Sequence, residues 1–168
     1  MNSSANRVTI EEDMVFQRRE WLVQRISWVL AGVVLVLALL GVFGTGPLSW
    51  TSTTTPDGLL HLEYERFARR LGMTALAVDI APEAARQGEI RLQISQDYLG
   101  DVMVQKVTPE PLAVVNGAGK LTYVFTTDEV TEPLKVSFDL RPDRVGVQHA
   151  EVGIEGAPPT RFRQFVYP

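Results

Sequence analysis

The sequence contains no cysteine. This absence excludes disulfide frameworks, iron–sulfur clusters, thiolate zinc sites and cysteine nucleophiles. Basic residues are also few for a nucleic-acid-binding module, because 16 Lys and Arg stand against 20 Asp and Glu, a net charge of −4. We therefore expect no nucleic-acid partner. A disordered chain is excluded as well, since 45% of the residues are apolar and only 21% are charged.

Charge is missing from the whole stretch between Arg25 and Asp57. Within it, residues 26–43 form an 18-residue apolar run whose one polar side chain is Ser27. As a helix this run would be about 27 Å long, close to the hydrocarbon thickness of a bilayer. We assign residues 26–45 to a transmembrane helix. The residues predicted to lie at the membrane interface are Trp21, Arg25, Trp28 and Trp50.

Two alternatives to an uncleaved membrane anchor exist, a buried core helix and a cleaved signal peptide. Core helices are usually shorter and carry a polar stripe. A signal peptide would need a charged region of 25 residues and an apolar run longer than the ~7–15 residues that are typical. Both comparisons favour the anchor.

The distribution of arginine predicts the orientation of this span. The four arginines before it are Arg7, Arg18, Arg19 and Arg25, whereas the first basic residue after it is Arg66. Because Lys and Arg accumulate on the cytoplasmic side, we expect residues 1–25 to be a cytoplasmic stub in the plasma (inner) membrane. Thr9 and Glu12 fit a capping box, so the stub is expected to be helical and to continue into the span.

The outer part of the chain has a different pattern. Residues 46–58 are rich in Ser, Thr, Gly and Pro and are predicted to be a linker. Residues 59–168 contain short alternating apolar runs separated by turn residues, which predicts seven to nine strands with one buried face each. The predicted fold is therefore mainly β, with one N-terminal transmembrane α-helix followed by an antiparallel immunoglobulin-like β-sandwich. Residues 61–72 (HLEYERFARRLG) also have helical spacing, and a helix there is the alternative.

The stretches EYERFARR (residues 63–70) and RFRQFVYP (residues 161–168), together with this layout, resemble a group of uncharacterised bacterial single-pass membrane proteins with an immunoglobulin-like outer domain. That resemblance implies the fold and no activity. The layout is also similar to that of copper-delivery assembly factors of cytochrome oxidase. Those proteins rely on a cysteine pair that this chain lacks, so their metal chemistry is not carried over.

No motif for catalysis or for cofactor binding is found. Neither HExxH nor GxSxG occurs. The stretch NGAGK (residues 116–120) lacks the first glycine and the final Ser or Thr of a phosphate-binding loop. It is better interpreted as a hairpin turn in which Asn and Gly adopt positive φ. His61 and His149 lie on alternating runs, where a solvent-facing or cross-strand position is the simpler interpretation. We expect no enzyme activity, no catalytic residue, no metal site and no cofactor.

Two sets of residues are candidates for contacts with partners. Small residues in the span, which would let another helix approach, are Ala31, Ala38, Gly41 and Gly44. An arginine cluster around an aromatic ring, which would contact lipid headgroups or an acidic partner, comprises Arg66, Phe67, Arg69 and Arg70. The simpler interpretation of this cluster, which we favour from sequence, is a solvated strand end whose arginines pair with Glu63, Glu65 and neighbouring residues.

These observations lead to one expected function and one alternative. We expect a non-catalytic single-pass protein that contacts the lipid bilayer and serves as accessory subunit or assembly module of a membrane or envelope complex, through a membrane protein partner. The alternative is an extracytoplasmic carrier of a metal or ligand for a membrane redox complex. Elemental analysis of the purified outer domain would separate the two.

Overall fold

A computed structural model describes residues 14–39, 49–127 and 132–168. Helix α1 (Met14–Leu39) runs without interruption through the end of the stub and into the apolar run. Its segment Glu20–Leu39 is long and apolar enough to cross a membrane, and none of it is buried within the structure. Twenty residues of helix measure about 30 Å, which matches a bilayer core. The helix is therefore a candidate membrane anchor. The expected capping box at Thr9 and Glu12 lies outside the described residues.

The rest of the chain forms a mainly β domain of two packed sheets. Its eleven strands within the described residues are β1 (Trp50–Thr54), β2 (Leu60–Glu65), β3 (Phe67–Arg69), β4 (Thr74–Ile80), β5 (Glu89–Ser95), β6 (Val102–Thr108), β7 (Ala113–Gly117), β8 (Lys120–Thr126), β9 (Leu134–Pro142), β10 (Gly146–Ile154) and β11 (Thr160–Tyr167). The order in sheet A is β1-β2-β4-β9-β6, and the order in sheet B is β3-β11-β10-β5-β8-β7. All pairs are antiparallel except β3–β11, which is parallel.

The core lies between the inward faces of the two sheets. Because side chains alternate across a strand, every second residue of the long strands is buried. In β4 and β9 of sheet A the buried residues include Leu76, Val78, Val136, Phe138 and Leu140; in β5, β10 and β11 of sheet B they include Ile90, Leu92, Ile94, Val152 and Phe162. The predicted sandwich is thus confirmed.

A buried polar chain crosses one part of this core. The helix α2 (Gln96–Asp101) between β5 and β6 buries Tyr98, whose hydroxyl donates to Gln164 Oε1 at 3.2 Å. Gln164 Nε2 in turn donates to the backbone oxygen of Glu65 at 2.9 Å. The Glu65 carboxylate is buried and accepts a hydrogen bond from the Thr74 hydroxyl at 2.8 Å. These bonds satisfy polar groups that would be costly to bury alone.

Three predictions about local structure need correction. Part of the predicted linker, residues 50–54, is strand β1, which pairs with β2 along its whole length. The helical alternative for residues 61–72 is wrong, because this stretch contains β2 and β3. The stretch NGAGK does form a hairpin, but the residues with positive φ are Ala118 (52°) and Gly119 (73°), whereas Asn116 still belongs to β7. A single turn of 3₁₀ helix also occurs at Pro82–Ala84.

Candidate functional site

The predicted arginine cluster is divided by the fold. Phe67 and Arg69 lie in β3, beside Phe165 and Tyr167 of β11. Arg66 instead donates a hydrogen bond to the Thr51 hydroxyl of β1 at 2.8 Å. Arg70 donates from Nε to the backbone oxygen of Asp143 at 2.8 Å, and its guanidinium lies 3.5 Å from the Asp143 carboxylate.

Two of the pairings expected from the sequence, those of the arginines with Glu63 and Glu65, are absent from the described residues. Glu65 is buried and bonded to Thr74, so its carboxylate is turned into the domain. Glu63 Oε1 lies 3.7 Å from His61 Nε2. Arg66 and Arg70 therefore bond to Thr51 and Asp143 rather than to these two glutamates.

Strand β11 contributes an aromatic ring that the sequence argument missed. Phe162, Gln164 and Val166 are buried on the inward face of β11, so Arg161, Arg163 and Phe165 project outward. The two-residue periodicity of β11 indicates the outward position of Phe165, because Phe162 and Val166 share one face of the strand and Phe165 lies on the other. Phe165 is 44% exposed.

Neighbouring strands extend this ring into an apolar row. Phe67 on β3 and Val147 on β10 both stand opposite Phe165 in the strand register. Val147 is 57% exposed. Side chains at facing positions of adjacent strands are in contact distance, so the three form one surface.

Arginines border the row. Arg163 stands opposite His149, and Arg69 is exposed at the end of β3. Within the part of the chain that the structure describes, neither Arg69 nor Arg163 has an ion pair or side-chain hydrogen bond. We call the surface formed by Phe67, Arg69, Val147, Arg163 and Phe165 the aromatic–arginine face.

An ion network lies at the far end of the same strands. The Glu151 carboxylate accepts hydrogen bonds from Lys120 Nζ at 3.1 Å and from Arg161 Nε at 3.2 Å. These two donors, Lys120 first, hold the pKa of Glu151 below its usual range. A groove of about 940 Å³ joins the network to the aromatic–arginine face and is lined by residues of both, including Arg161, Arg163 and Phe165. Asp97 and Glu151 also line the groove, so a ligand segment lying in it would meet apolar, cationic and acidic groups together.

The two histidines lie on opposite sides of the sandwich. His61 projects from the outer face of sheet A and its Nδ1 is 3.0 Å from the Thr54 hydroxyl, whereas His149 projects from the outer face of sheet B. One ion could not be bound by both side chains of a single chain. Among residues 14–39, 49–127 and 132–168, no three His, Asp or Glu side chains converge as metal ligands would.

The residues predicted to lie at the membrane interface belong to α1 and to β1. Trp21, Arg25 and Trp28 project from α1, with the Arg25 guanidinium 4.6 Å from the centre of the Trp21 ring, a cation–π contact. Trp50 is the first residue of β1 and is 43% exposed. Ala31 and Ala38 lie two turns apart on α1, while Gly41 and Gly44 lie outside the described residues. The roles of all these residues stay predictions.

Comparison with known proteins adds little to this picture. No protein-family model matches the chain, and no curated protein does. Among solved structures, the chain is similar to a cohesin module from a Clostridium perfringens ATCC13124 family 33 glycoside hydrolase. The sequence identity is 11%, the TM-score is 0.42, and the match covers 69% of this chain and 98% of that module. A likeness at this level carries no argument about function.

Proposed function

We propose that this chain is a membrane-anchored, non-catalytic interaction protein: an accessory subunit or assembly factor whose β domain binds a protein partner through the aromatic–arginine face. In this proposal the N-terminus is cytoplasmic and the β domain lies outside the cytoplasm. The observation that carries it is the apolar row Phe67–Phe165–Val147, in which Phe165 and Val147 are exposed and Phe67 is half-buried. Two arginines that have no ion pair among the described residues border this row.

The composition of the face supports binding of a protein. Contact surfaces are enriched in aromatic residues and arginine, with apolar residues at the centre and polar ones around them. Phe165 is exposed to water in the free domain, so burying its ring against a partner would favour binding through the hydrophobic effect. Arg69 and Arg163 offer hydrogen-bond donors in an acidic chain, so a partner segment with carboxylates beside an apolar side chain fits best.

The candidate anchor supports the accessory role. A chain held in the membrane meets a membrane partner at a raised effective concentration, so a modest interface suffices. The small residues Ala31 and Ala38 offer a second contact, with another transmembrane helix.

Affinity purification of the full chain from native membranes in mild detergent, followed by mass spectrometry, tests the proposal. The wild-type chain should retain a specific partner, and Phe165→Ser should reduce its yield about tenfold or more, as the loss of a central aromatic contact does. The matched control is Met73→Ser, which alters a large apolar side chain that is 67% exposed and lies outside the face. Equal yields from the two variants would contradict the proposal.

A further inference from the structure

Strand β7 differs from the other three edge strands of the sandwich. Strand β3 has three residues, and β6 carries Lys106 with an irregularity in its register between Val104 and Lys106. Strand β1 is adjacent to β11, where the hydroxyl oxygens of Thr53 and Thr160 are 3.4 Å apart. Short length, charge, bulges and cover are the features that prevent sheet edges from pairing with other chains. Strand β7 has a regular five-residue register with β8 and none of these features.

The residues of β7 are all exposed. No charged residue occurs from Pro111 to Gly119. Leu112 is 65% exposed, Val114 is 50% exposed and Val115 is 54% exposed. An open, uncharged and apolar edge strand is a template for the addition of another strand.

We propose that a second copy of this chain pairs with β7, antiparallel and centred on Val115. In that register Val115 faces its own copy, Val114 faces Asn116, and Ala113 faces Gly117. The strand is then complementary to itself, which is the requirement for a two-fold symmetric interface. Sheet B would continue from one copy into the other. This inference does not depend on the aromatic–arginine face, which lies at the other end of the strand order.

The flanking charges favour a second copy in this direction. Glu110 precedes the uncharged stretch, and Lys120, which also bonds Glu151 of its own chain, follows it. Antiparallel pairing brings the acidic end of one stretch toward the basic end of the other, whereas parallel pairing would bring like charges together. Two five-residue strands bury little area, but anchors in one membrane would raise the effective concentration of the copies.

Single cysteines test the pairing directly, since the chain has no cysteine of its own. Residues facing each other in antiparallel strands have Cα atoms about 4.5–5.5 Å apart, within reach of a disulfide. We expect Val115→Cys, in the full chain in native membranes, to form an oxidant-dependent dimer of about twice the 18.7 kDa chain mass. Ala113→Cys is the matched control on the same strand. Its positions in the two copies would be offset by about 13 Å along the strands in this register, so its dimer yield should be at least tenfold lower.

Four outcomes of the cysteine experiments would overturn the inference. They are no dimer from Val115→Cys, an equal yield from Ala113→Cys, an equal yield from Ser52→Cys on edge strand β1, and an adduct of Val115→Cys with a protein of different mass. A second variant, Val115→Lys, places two like charges face to face and should abolish the energy transfer that two differently labelled copies of the otherwise unchanged chain show in native membranes. Circular dichroism should show that this variant is folded; a folded Val115→Lys chain that stays dimeric would also overturn the inference.

Discussion

Phe138 is fully buried in β9, and its ring packs edge-on against Tyr123 with the ring centres 5.1 Å apart. Phe138→Ala would leave a cavity between the sheets and should lower the free energy of unfolding by about 3–5 kcal/mol. Denaturant unfolding of the β domain measures this change. A loss below about 1 kcal/mol would show that the side chain is not packed as the structure has it.

Glu151 should make the stability of the domain depend on pH. The hydrogen bonds from Lys120 and Arg161 lower the pKa of Glu151 in the folded state. Its contribution is therefore present above the unfolded pKa of about 4.3 and is lost as the pH falls through the lower folded pKa. Glu151→Gln should cost under about 1 kcal/mol at pH 7, because the carboxylate is partly exposed.

Thermal unfolding between pH 6 and pH 3 provides the measurement for this variant. The difference between wild type and Glu151→Gln should shrink as the pH falls. A constant difference over this range would mean that the two ion pairs contribute no stability.

The burial of single residues could be predicted from the sequence for apolar side chains but not for polar ones. Phe138 could be assigned to the core because it lies in a clean alternating run. Gln164 and Glu65 could not, since their burial depends on partners such as Tyr98 and Thr74 that lie far away along the chain or in another strand. The exposed position of Phe165 could have been inferred from the alternation of β11, whereas its neighbours Phe67 and Val147 required the strand register.

At the level of strands, the alternating apolar runs predicted seven to nine strands, and the described residues contain eleven. The apolar runs did not predict β1 and β7, because neither strand has a regular buried face. Strand β1 is built of Thr and Ser after Trp50, and β7 is exposed along its whole length. Strand β3 has only three residues, too few for any periodicity. Sheet edges are set by partners across the sheet, which a local pattern does not contain.

The β7–β8 hairpin offers a test of its turn. Ala118 adopts a φ of 52°, a conformation that costs free energy for a residue with a Cβ atom. Ala118→Gly should therefore leave stability unchanged or raise it by up to about 1 kcal/mol. The control is Ala75→Gly inside β4, where glycine should destabilise by about 0.5–1 kcal/mol. Destabilisation by both variants alike would contradict the left-handed conformation at Ala118.

For the whole molecule, the arginine distribution predicts the topology. A reporter that is active only outside the cytoplasm, fused after Pro168, should be active, and the same reporter fused before Met1 should be inactive. The reverse result would overturn the orientation. A mature protein that begins near Pro47 would instead indicate cleavage of a signal peptide.

Partner binding through the aromatic–arginine face is the central claim, and site-specific photo-crosslinking in native membranes tests it most directly. A benzophenone-bearing phenylalanine at position 165 would sit in the exposed apolar row, and the same residue at position 63 would sit on the outer face of the opposite sheet. We expect one discrete adduct with a partner protein from position 165 and none from position 63. No adduct from position 165, or the same adducts from both positions, would contradict the claim.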